Sequence, residues 1–167
     1  VDLVDTRKTT PGWRVLEKYA VAVGGGLNHR VGLYDAVLVK DNHIAAAGSL
    51  DVAVERAVCK APEGISVQIE VESEIMADRA VELGARFLLL DNLDPKTTQR
   101  IVARHGESVL LESSGGIDRK NLRAYAETGI ARISMGALTH SVQSCDVALE
   151  IDLLPQSGNQ HSAREPS

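Results

Sequence analysis

The sequence offers little that would tie it to a disulfide scaffold, a zinc site or a membrane. Its two cysteines, Cys59 and Cys145, lie far apart and form no CxxC pair, so neither a disulfide framework nor a zinc site is indicated. No apolar run approaches the roughly 20 residues of a membrane-spanning helix. No basic-then-apolar leader opens the chain. We therefore expect a protein without a membrane partner, in a reducing, cytoplasmic setting.

Excess positive charge is also missing, since the net charge of the 167 residues is -5. This value argues against nucleic acid as the main partner. The charge is uneven, however. Residues 1–44 carry six Lys and Arg against five Asp and Glu, and the remainder carries 12 basic and 18 acidic residues. Local positive charge on an acidic protein indicates a small anionic ligand rather than a polymer.

Apolar runs alternate along the chain with segments of helical periodicity. Strands are predicted at 1–5, 36–40, 66–71, 87–91, 108–113 and 132–136, with a weaker seventh at 147–152. Helices are predicted at 13–23, 50–58, 74–83, 95–105 and 119–128, with start signals at Thr10, Ser49, Ser73, Asp94 and Asp118. Glycines at 84, 106 and 129 stand where helices should end. Strands this apolar, repeated at β–α spacing, predict a parallel sheet covered by helices.

The open question is whether that sheet is doubly wound or a barrel. Neither a GxGxxG nor a P-loop sequence follows any strand, which lowers the first option. Polar or small residues end nearly every strand, and Gln68, Glu70 and Glu72 alternate with apolar residues. We predict an α/β fold, a TIM-like β/α barrel of six to seven parallel strands that need not be complete or closed. Residues 1–152 would form this domain, and 153–167 a disordered polar tail.

Three early segments place cations after predicted strands or beside glycines. Arg7 and Lys8 follow the first strand, and three glycines lead into His29 and Arg30. Either segment alone fits a solvated loop or a helix cap followed by a flexible loop. Lys40 ends an apolar strand, where lysine is seldom placed without a partner. Together these residues indicate a pocket for carboxylate or phosphate groups.

Later strands end in carboxylates and then in glycine-rich loops. Glu70 and Asp91 end neighbouring strands and could ligate Mg²⁺, hold sugar hydroxyls or stabilise positive charge. The alternative is a salt bridge to a cation such as Lys40. The loops ESSGG, 112–116, and MGALTHS, 135–141, follow consecutive late strands. Such loops commonly hold a phosphate with backbone N–H groups.

Four motifs in this order closely resemble the quinolinate phosphoribosyltransferase family, over about residues 4–152. They are VDTRKTTPGWRVLEKYAVAVGGGLNHRVGLYDAVLVKDNHI, LLLDN, LESSGGI and MGALTHS. The resemblance implies phosphoribosyl transfer from phosphoribosyl pyrophosphate to quinolinate. Decarboxylation then yields nicotinate mononucleotide, pyrophosphate and CO₂ for NAD synthesis. It also implies Mg²⁺ as cofactor and a homodimer or higher homo-oligomer.

The resemblance assigns roles to the candidate residues. Lys40, Glu70 and Asp91 would be catalytic, with Glu70 and Asp91 holding the ribose hydroxyls and, directly or indirectly, the metal. Quinolinate carboxylates and pyrophosphate would be bound by Arg7, Lys8, His29, Arg30 and Lys40. The 5′-phosphate would be held by Ser114, Gly115, Gly116, Gly136 and His140.

One departure from the family concerns its N-terminal α/β domain, which is not in this sequence. In the family that domain caps the barrel of the partner subunit and supplies a substrate-binding arginine, so we expect poor turnover by this chain alone. Two other readings remain open. One is a related pyrophosphorylase-like protein of molybdate transport operons, and the other is a non-catalytic fragment that binds phosphate or nucleotide.

Overall fold

The computed structural model describes residues 1–151 and shows six parallel strands, each covered by helices or loops. The strands are β1 (Asp2–Val4), β2 (Val37–Val39), β3 (Val67–Val71), β4 (Phe87–Asp91), β5 (Leu110–Ser114) and β6 (Arg132–Ser134). The helices are α1 (Arg14–Val23), α2 (Asp41–Ala47), α3 (Leu50–Lys60), α4 (Glu74–Glu82), α5 (Pro95–His105) and α6 (Leu122–Ala126), followed by a 3₁₀ turn, Gly136–Leu138. Within this part of the chain, no helix has the length and apolar character of a membrane span. The predicted tail at 153–167 lies outside the described residues.

The strands follow one another in the order β2-β3-β4-β5-β6-β1, and all pairs are parallel. A doubly wound sheet would reverse direction at a switch point. Here the strands from β2 to β6 follow in chain order, and β1 pairs with β6. This is the order of a barrel in which β1 and β2 are not paired with each other. At that opening, Leu27 forms an isolated parallel bridge with Val4. The predicted α/β fold with parallel strands is confirmed, and the barrel is open at one seam.

The two faces of the sheet differ in chemistry, as the alternation in β3 predicts. Ile69 and Val71 are fully buried in the apolar core between sheet and helices. Gln68 and Glu70 point the other way, because side chains alternate along a strand. Strand register places Glu70 beside Leu89 of β4 and Leu89 beside Glu112 of β5. The barrel interior is therefore polar toward the carboxyl ends of the strands.

Three of the predicted helix starts are correct. The side chains of Ser49, Ser73 and Asp94 accept backbone N–H groups at the starts of α3, α4 and α5. Thr10 closes a turn instead, with the Trp13 N–H donating to its carbonyl at 3.0 Å, and α1 begins later. Asp118 likewise caps a turn before α6 by accepting from the Lys120 N–H at 2.7 Å.

Two further predictions need correction. Residues 41–47 form α2, where no helix was predicted, because the polar start of this segment resembles a loop. The weak seventh strand is wrong over 147–151, which have no regular structure. Val147, Leu149 and Ile151 are 84%, 87% and 75% exposed. Apolar alternation makes a strand only where a neighbouring strand pairs with it, and none of the described strands does so here.

Candidate active site

A cavity of about 610 Å³ opens at the carboxyl ends of the strands. Every candidate residue named from the sequence lines it: Arg7, Lys8, His29, Arg30, Lys40, Glu70, Asp91, Ser114, Gly115, Gly116, Gly136 and His140. Carboxyl ends of parallel barrel strands converge on one mouth, so residues distant in sequence meet there. Glu72 lies outside this cavity, against a smaller pocket with Asp41 and Met76.

The Arg7–Lys8 loop is held from two sides. Arg14 of α1 donates from Nη2 to the Arg7 carbonyl at 3.0 Å. Thr139, which is fully buried, donates from Oγ1 to the Lys8 carbonyl at 2.7 Å. This second bond joins the loop after β1 to the loop after β6. The backbone that carries the two cations is therefore braced, which a solvated loop would not be.

Two guanidinium groups at the cavity lack a carboxylate partner among residues 1–151. The Nε atoms of Arg7 and Arg30 are buried and make no hydrogen bond within this part of the chain. Burial lowers the pKa of Arg30, and the nearby Arg7 charge lowers it further, against the opposing effect of Asp35, Glu112 and Glu70. Buried donors without an acceptor are costly. An anionic ligand would satisfy both.

Lys40 and Glu70 form an ion pair across β2 and β3. Lys40 Nζ lies 2.7 Å from Glu70 Oε2, with the Glu70 side chain 7% exposed and that of Lys40 48% exposed. The Lys40 backbone N–H donates to Nδ1 of His43 at 2.9 Å, which fixes the turn into α2. The salt bridge considered as an alternative for Glu70 is present, and it lies on the wall of the cavity.

The loops after β4 and β5 pack tightly against each other. Asn92 adopts a left-handed φ of 54° and donates from its amide nitrogen to Asp91 Oδ2 at 2.8 Å. Its backbone N–H donates to the Ser114 carbonyl at 2.9 Å. Gly115 has φ +93°, and a Cβ there would collide with the Asn92 side chain. The close approach requires glycine at 115 and orients the Asp91 carboxylate beside it.

The loop after β6 folds back on itself in the same way. The His140 N–H donates to the Gly136 carbonyl at 2.9 Å, and a Cβ at Gly136 would collide with the His140 ring. His140 Nδ1 lies 2.6 Å from Ser141 Oγ. Glycine at 136 therefore lets the ring approach the start of the 3₁₀ turn. This loop and that of Ser114–Gly116 line the same cavity.

Three buried charged residues at the site were not assigned a role from the sequence. Asp5, Lys18 and Glu112 are 0%, 4% and 0% exposed. His29 Nε2 lies 3.2 Å from Glu112 Oε1 without the alignment of a hydrogen bond, and both Glu112 oxygens lack a hydrogen-bond partner among the described residues. Asp5 and Glu112 end strands just as Glu70 and Asp91 do, so the same signal could have found them. Lys18 sits inside a helix, where no sequence signal marks it.

Within the described part of the chain, the protein's own donors do not form a complete metal site. Residues 1–151 contain no group of three or more His, Cys, Asp or Glu side chains that could hold a metal ion. Glu70 and Asp91 nevertheless fit Mg²⁺, which usually takes one or two carboxylates together with water and substrate phosphates. Any Mg²⁺ here would be coordinated by oxygens of the ligand as well as by the protein.

Fold and site together define an open β/α-barrel domain whose mouth carries both lysine and arginine side chains and carboxylates. Over residues 1–150 the chain matches the family model of the quinolinate phosphoribosyl transferase C-terminal domain. It belongs to this family. The resemblance drawn from the sequence motifs is thereby confirmed.

Relatives in two organisms and one solved structure carry the same name. The Bacillus subtilis (strain 168) probable nicotinate-nucleotide pyrophosphorylase (carboxylating) is 43% identical over 157 residues, covering 94% of this chain and 54% of that protein. The Homo sapiens nicotinate-nucleotide pyrophosphorylase (carboxylating) is 42% identical, covering 87% and 50%. The Francisella tularensis nicotinate-nucleotide pyrophosphorylase structure superposes with a TM-score of 0.81 at 41% identity, covering 86% and 51%. The chain thus spans about half the length of these relatives.

Proposed function

We propose that this domain binds quinolinate and phosphoribosyl pyrophosphate and transfers the phosphoribosyl group to the quinolinate nitrogen, giving nicotinate mononucleotide, pyrophosphate and CO₂. The observation that carries the proposal is one cavity that brings together an ion-paired lysine, inner-wall carboxylates, two glycine-containing loops and two guanidiniums without a carboxylate partner among residues 1–151. The two substrates bring a dicarboxylate, a monophosphate and a pyrophosphate into one pocket. The cations after β1, after β2 and on residues 29–30 suit those anionic groups, and the carboxylates on the same wall suit the sugar.

Each part of the wall has a proposed task. Arg7, Lys8, His29 and Arg30 bind quinolinate carboxylates and pyrophosphate oxygens, with the two guanidiniums offering paired donors to carboxylate. Lys40 adds a point charge beside them. The loops Ser114–Gly116 and Gly136–His140 hold the 5′-phosphate through backbone N–H groups. Their tight packing at Asn92 and His140 keeps those groups preorganised.

The proposed reaction develops positive charge at the sugar carbon during phosphoribosyl transfer. It then leaves an electron pair on the pyridine ring during decarboxylation. As the C–O bond to pyrophosphate breaks, the ring nitrogen forms a bond to the same carbon. Glu70 and Asp91 stabilise the oxocarbenium-like centre by electrostatics and hold the ribose hydroxyls. The 2-carboxylate then leaves as CO₂. The electron pair of the broken C–C bond stays on the ring carbon beside the quaternised nitrogen until that carbon takes up a proton. This last step requires mainly that the ring be held in place.

We propose that Glu70 and Asp91 also hold Mg²⁺, directly or through water, together with substrate oxygens. When bound, the ion would neutralise charge on the departing pyrophosphate. The support is the donor chemistry of the two carboxylates: Glu70 Oε2 accepts from Lys40 at 2.7 Å, which leaves Oε1 for the ion or its water. The metal dependence of quinolinate turnover, measured with and without a chelator, would test this role.

We further propose a homodimer or higher homo-oligomer in the cytoplasm. Support for assembly comes from the exposed outer face of α1, where Val15, Leu16 and Tyr19 are 77%, 58% and 68% exposed. Support for a reducing compartment comes from Cys59 and Cys145, which are both free thiols at the surface. Sedimentation velocity would contradict the first proposal by giving a monomer at tens of micromolar protein, and fractionation of the source cells would test the second.

The test of the proposed reaction is the conversion of quinolinate, phosphoribosyl pyrophosphate and Mg²⁺ to nicotinate mononucleotide, with CO₂ release measured in parallel. Lys40→Ala and Glu70→Ala should each lower the rate by about 100-fold or more, since each removes a charge from the reacting centre. The matched control is Lys60→Ala, which removes an exposed lysine at the end of α3. Retained activity in both site variants would contradict the assignment.

Ligand-binding measurements distinguish the proposed function from the two alternatives. Phthalate mimics quinolinate without the ring nitrogen and should compete with it here, but not in a pyrophosphorylase-like protein of molybdate transport operons. Substrate binding without any CO₂ release would instead indicate a non-catalytic fragment, in keeping with the expectation that this chain alone turns over poorly.

A further inference from the structure

The opening between β1 and β2 is covered by a segment that carries part of the candidate site. Leu27 accepts the Asp5 N–H at 3.1 Å and donates to the Leu3 carbonyl at 2.8 Å. His29 and Arg30 follow directly on this segment and line the cavity. Arg7 follows β1, the strand to which Leu27 is bridged. The two guanidiniums, which lack a carboxylate partner among residues 1–151, therefore stand on separate segments. These segments are joined by the Val4–Leu27 bridge and by Arg14, which donates to the Arg7 and Val31 carbonyls at 3.0 and 3.1 Å.

A buried ion pair fastens these segments together. Lys18 Nζ of α1 lies 2.6 Å from Asp5 Oδ1, with the side chains 4% and 0% exposed. The same Asp5 oxygen accepts the His29 N–H at 2.7 Å, and Lys18 Nζ donates to the His29 carbonyl at 3.1 Å. With its amide nitrogen turned toward Asp5, Asn28 donates to Oδ2 at 2.8 Å. The Asp5 carboxylate, at the end of β1, therefore contacts both helix α1 and the segment of residues 27–30.

Electrostatics explains why such a fastening is needed. Arg7 and Arg30 repel each other before any anion binds, and the Arg7 charge lowers the pKa of Arg30 accordingly. On an open seam, repulsion of this kind would push the two segments apart. Buried, multiply hydrogen-bonded ion pairs have fixed geometry, and breaking one strongly destabilises its surroundings. The Asp5–Lys18 pair opposes this repulsion; Asp5 lines the cavity, whereas Lys18 is not among the described residues that line it.

We propose that Asp5 and Lys18 are positioning residues that set the separation of Arg7 and Arg30, so that both engage one dicarboxylate. This inference rests on the proposed function for the identity of the dicarboxylate. It predicts a specific defect. Without the pair, the domain should lose its preference for two carboxylates over one, because the second guanidinium is no longer held in register.

The test uses the double variant Asp5→Asn/Lys18→Met, which leaves no unpaired buried charge and should therefore fold. Calorimetry would give the Kd of quinolinate, of nicotinate, which has one carboxylate, and of inorganic pyrophosphate. We expect the quinolinate Kd to rise about tenfold or more, with the nicotinate Kd much less changed. The matched control is Asp51→Asn/Arg79→Met, which removes an exposed ion pair between α3 and α4 and should change neither value.

Equal losses for quinolinate and nicotinate, or no loss at all, would overturn the inference, since a merely structural role gives no selectivity. Should the double variant show no thermal unfolding transition, Lys18→Arg is measured instead. That change keeps the charge but moves the donors, so the same selective loss is expected. A wild-type chain that binds pyrophosphate but not quinolinate contradicts the proposed function alone. The pair is then tested by comparing pyrophosphate with inorganic phosphate: a Kd that rises for pyrophosphate much more than for phosphate supports the inference, and equal changes overturn it. A chain that binds neither contradicts both.

Discussion

Gly115 and Gly116 are neighbours in the loop after β5, yet their surroundings differ. Both have positive φ, at +93° and +59°. A Cβ at 115 would strike the side chain and backbone of Asn92, whereas a Cβ at 116 would meet nothing within 4 Å. Backbone conformation restricts both positions, but close packing restricts only the first. The pair therefore separates the two reasons for which a phosphate-binding loop uses glycine.

Gly115→Ala should destabilise the domain and the loop more than Gly116→Ala. At 116 we expect only the cost of a left-handed alanine, about 1 kcal/mol. At 115 overpacking against Asn92 adds about 1–3 kcal/mol, and the affinity for ribose 5-phosphate should fall at least tenfold because the loop must move. Thermal unfolding and calorimetry measure the two effects. Equal behaviour of the variants would show that the contact with Asn92 is unimportant.

At the scale of helices, α1 inverts the usual amphipathic pattern. Its buried or half-buried positions include Arg14, Glu17 and Lys18, whereas Val15 and Tyr19 face outward and are exposed. The polar side braces the site loops, and the apolar side is left at the surface. Periodicity identifies such a helix but not which side faces inward. Hence α1 could be predicted from sequence while the role of Lys18 could not.

Strands were easier to predict than their surroundings because each carries its own signal. Apolar runs located all six strands, and the polar ends Glu70 and Asp91 marked the cavity wall. A barrel that need not be closed was predicted, but the position of the opening between β1 and β2 was not, because neither strand carries a signal for its neighbours. Asp5 and Glu112 have the same strand-end signal as Glu70, but sequence alone shows neither their full burial nor their partners.

Helix α5 offers a test of local capping. Asp94 Oδ1 accepts the Lys96 and Thr97 N–H groups at 2.9 and 3.2 Å, and Oδ2 accepts the Thr97 hydroxyl at 2.6 Å. The Thr97 hydroxyl bond, with the backbone bonds, lowers the pKa of Asp94. A lowered folded-state pKa means that the carboxylate stabilises the fold above the unfolded pKa of about 3.9, and that this stabilisation is lost as pH falls through the folded value.

Asp94→Ala should therefore lower the Tm by about 2–4 °C near neutral pH. The difference from wild type should shrink as pH is lowered from about 5 toward about 2. Glu107→Ala serves as the control, because it removes an exposed carboxylate just beyond the other end of α5. Calorimetric scans across this pH range make the comparison. A Tm difference that persists unchanged in acid would show that the cap does not act through its charge.

For the whole molecule, the distribution of charge matters more than its total. The chain has a net charge of -5, but its cavity presents Arg7 and Arg30 without carboxylate partners among the described residues. Within the cavity, the unsatisfied Nε donors of Arg7 and Arg30 are the groups that would attract an anion. Binding of an anion should relieve the repulsion between the two guanidiniums and stabilise the folded state.

Pyrophosphate should therefore raise the Tm of the chain in a salt-dependent way. At 100 times its Kd, a ligand stabilises by about 2.7 kcal/mol, which corresponds to about 5–10 °C for a domain of this size. Raising NaCl from about 0.1 M to about 1 M shortens the Debye length from about 10 Å to about 3 Å, so the shift at fixed pyrophosphate should fall. Arg7→Ala/Arg30→Ala should abolish it. A shift that is equal at both salt concentrations, or that survives in this variant, would mean that pyrophosphate binds elsewhere or without the help of charge.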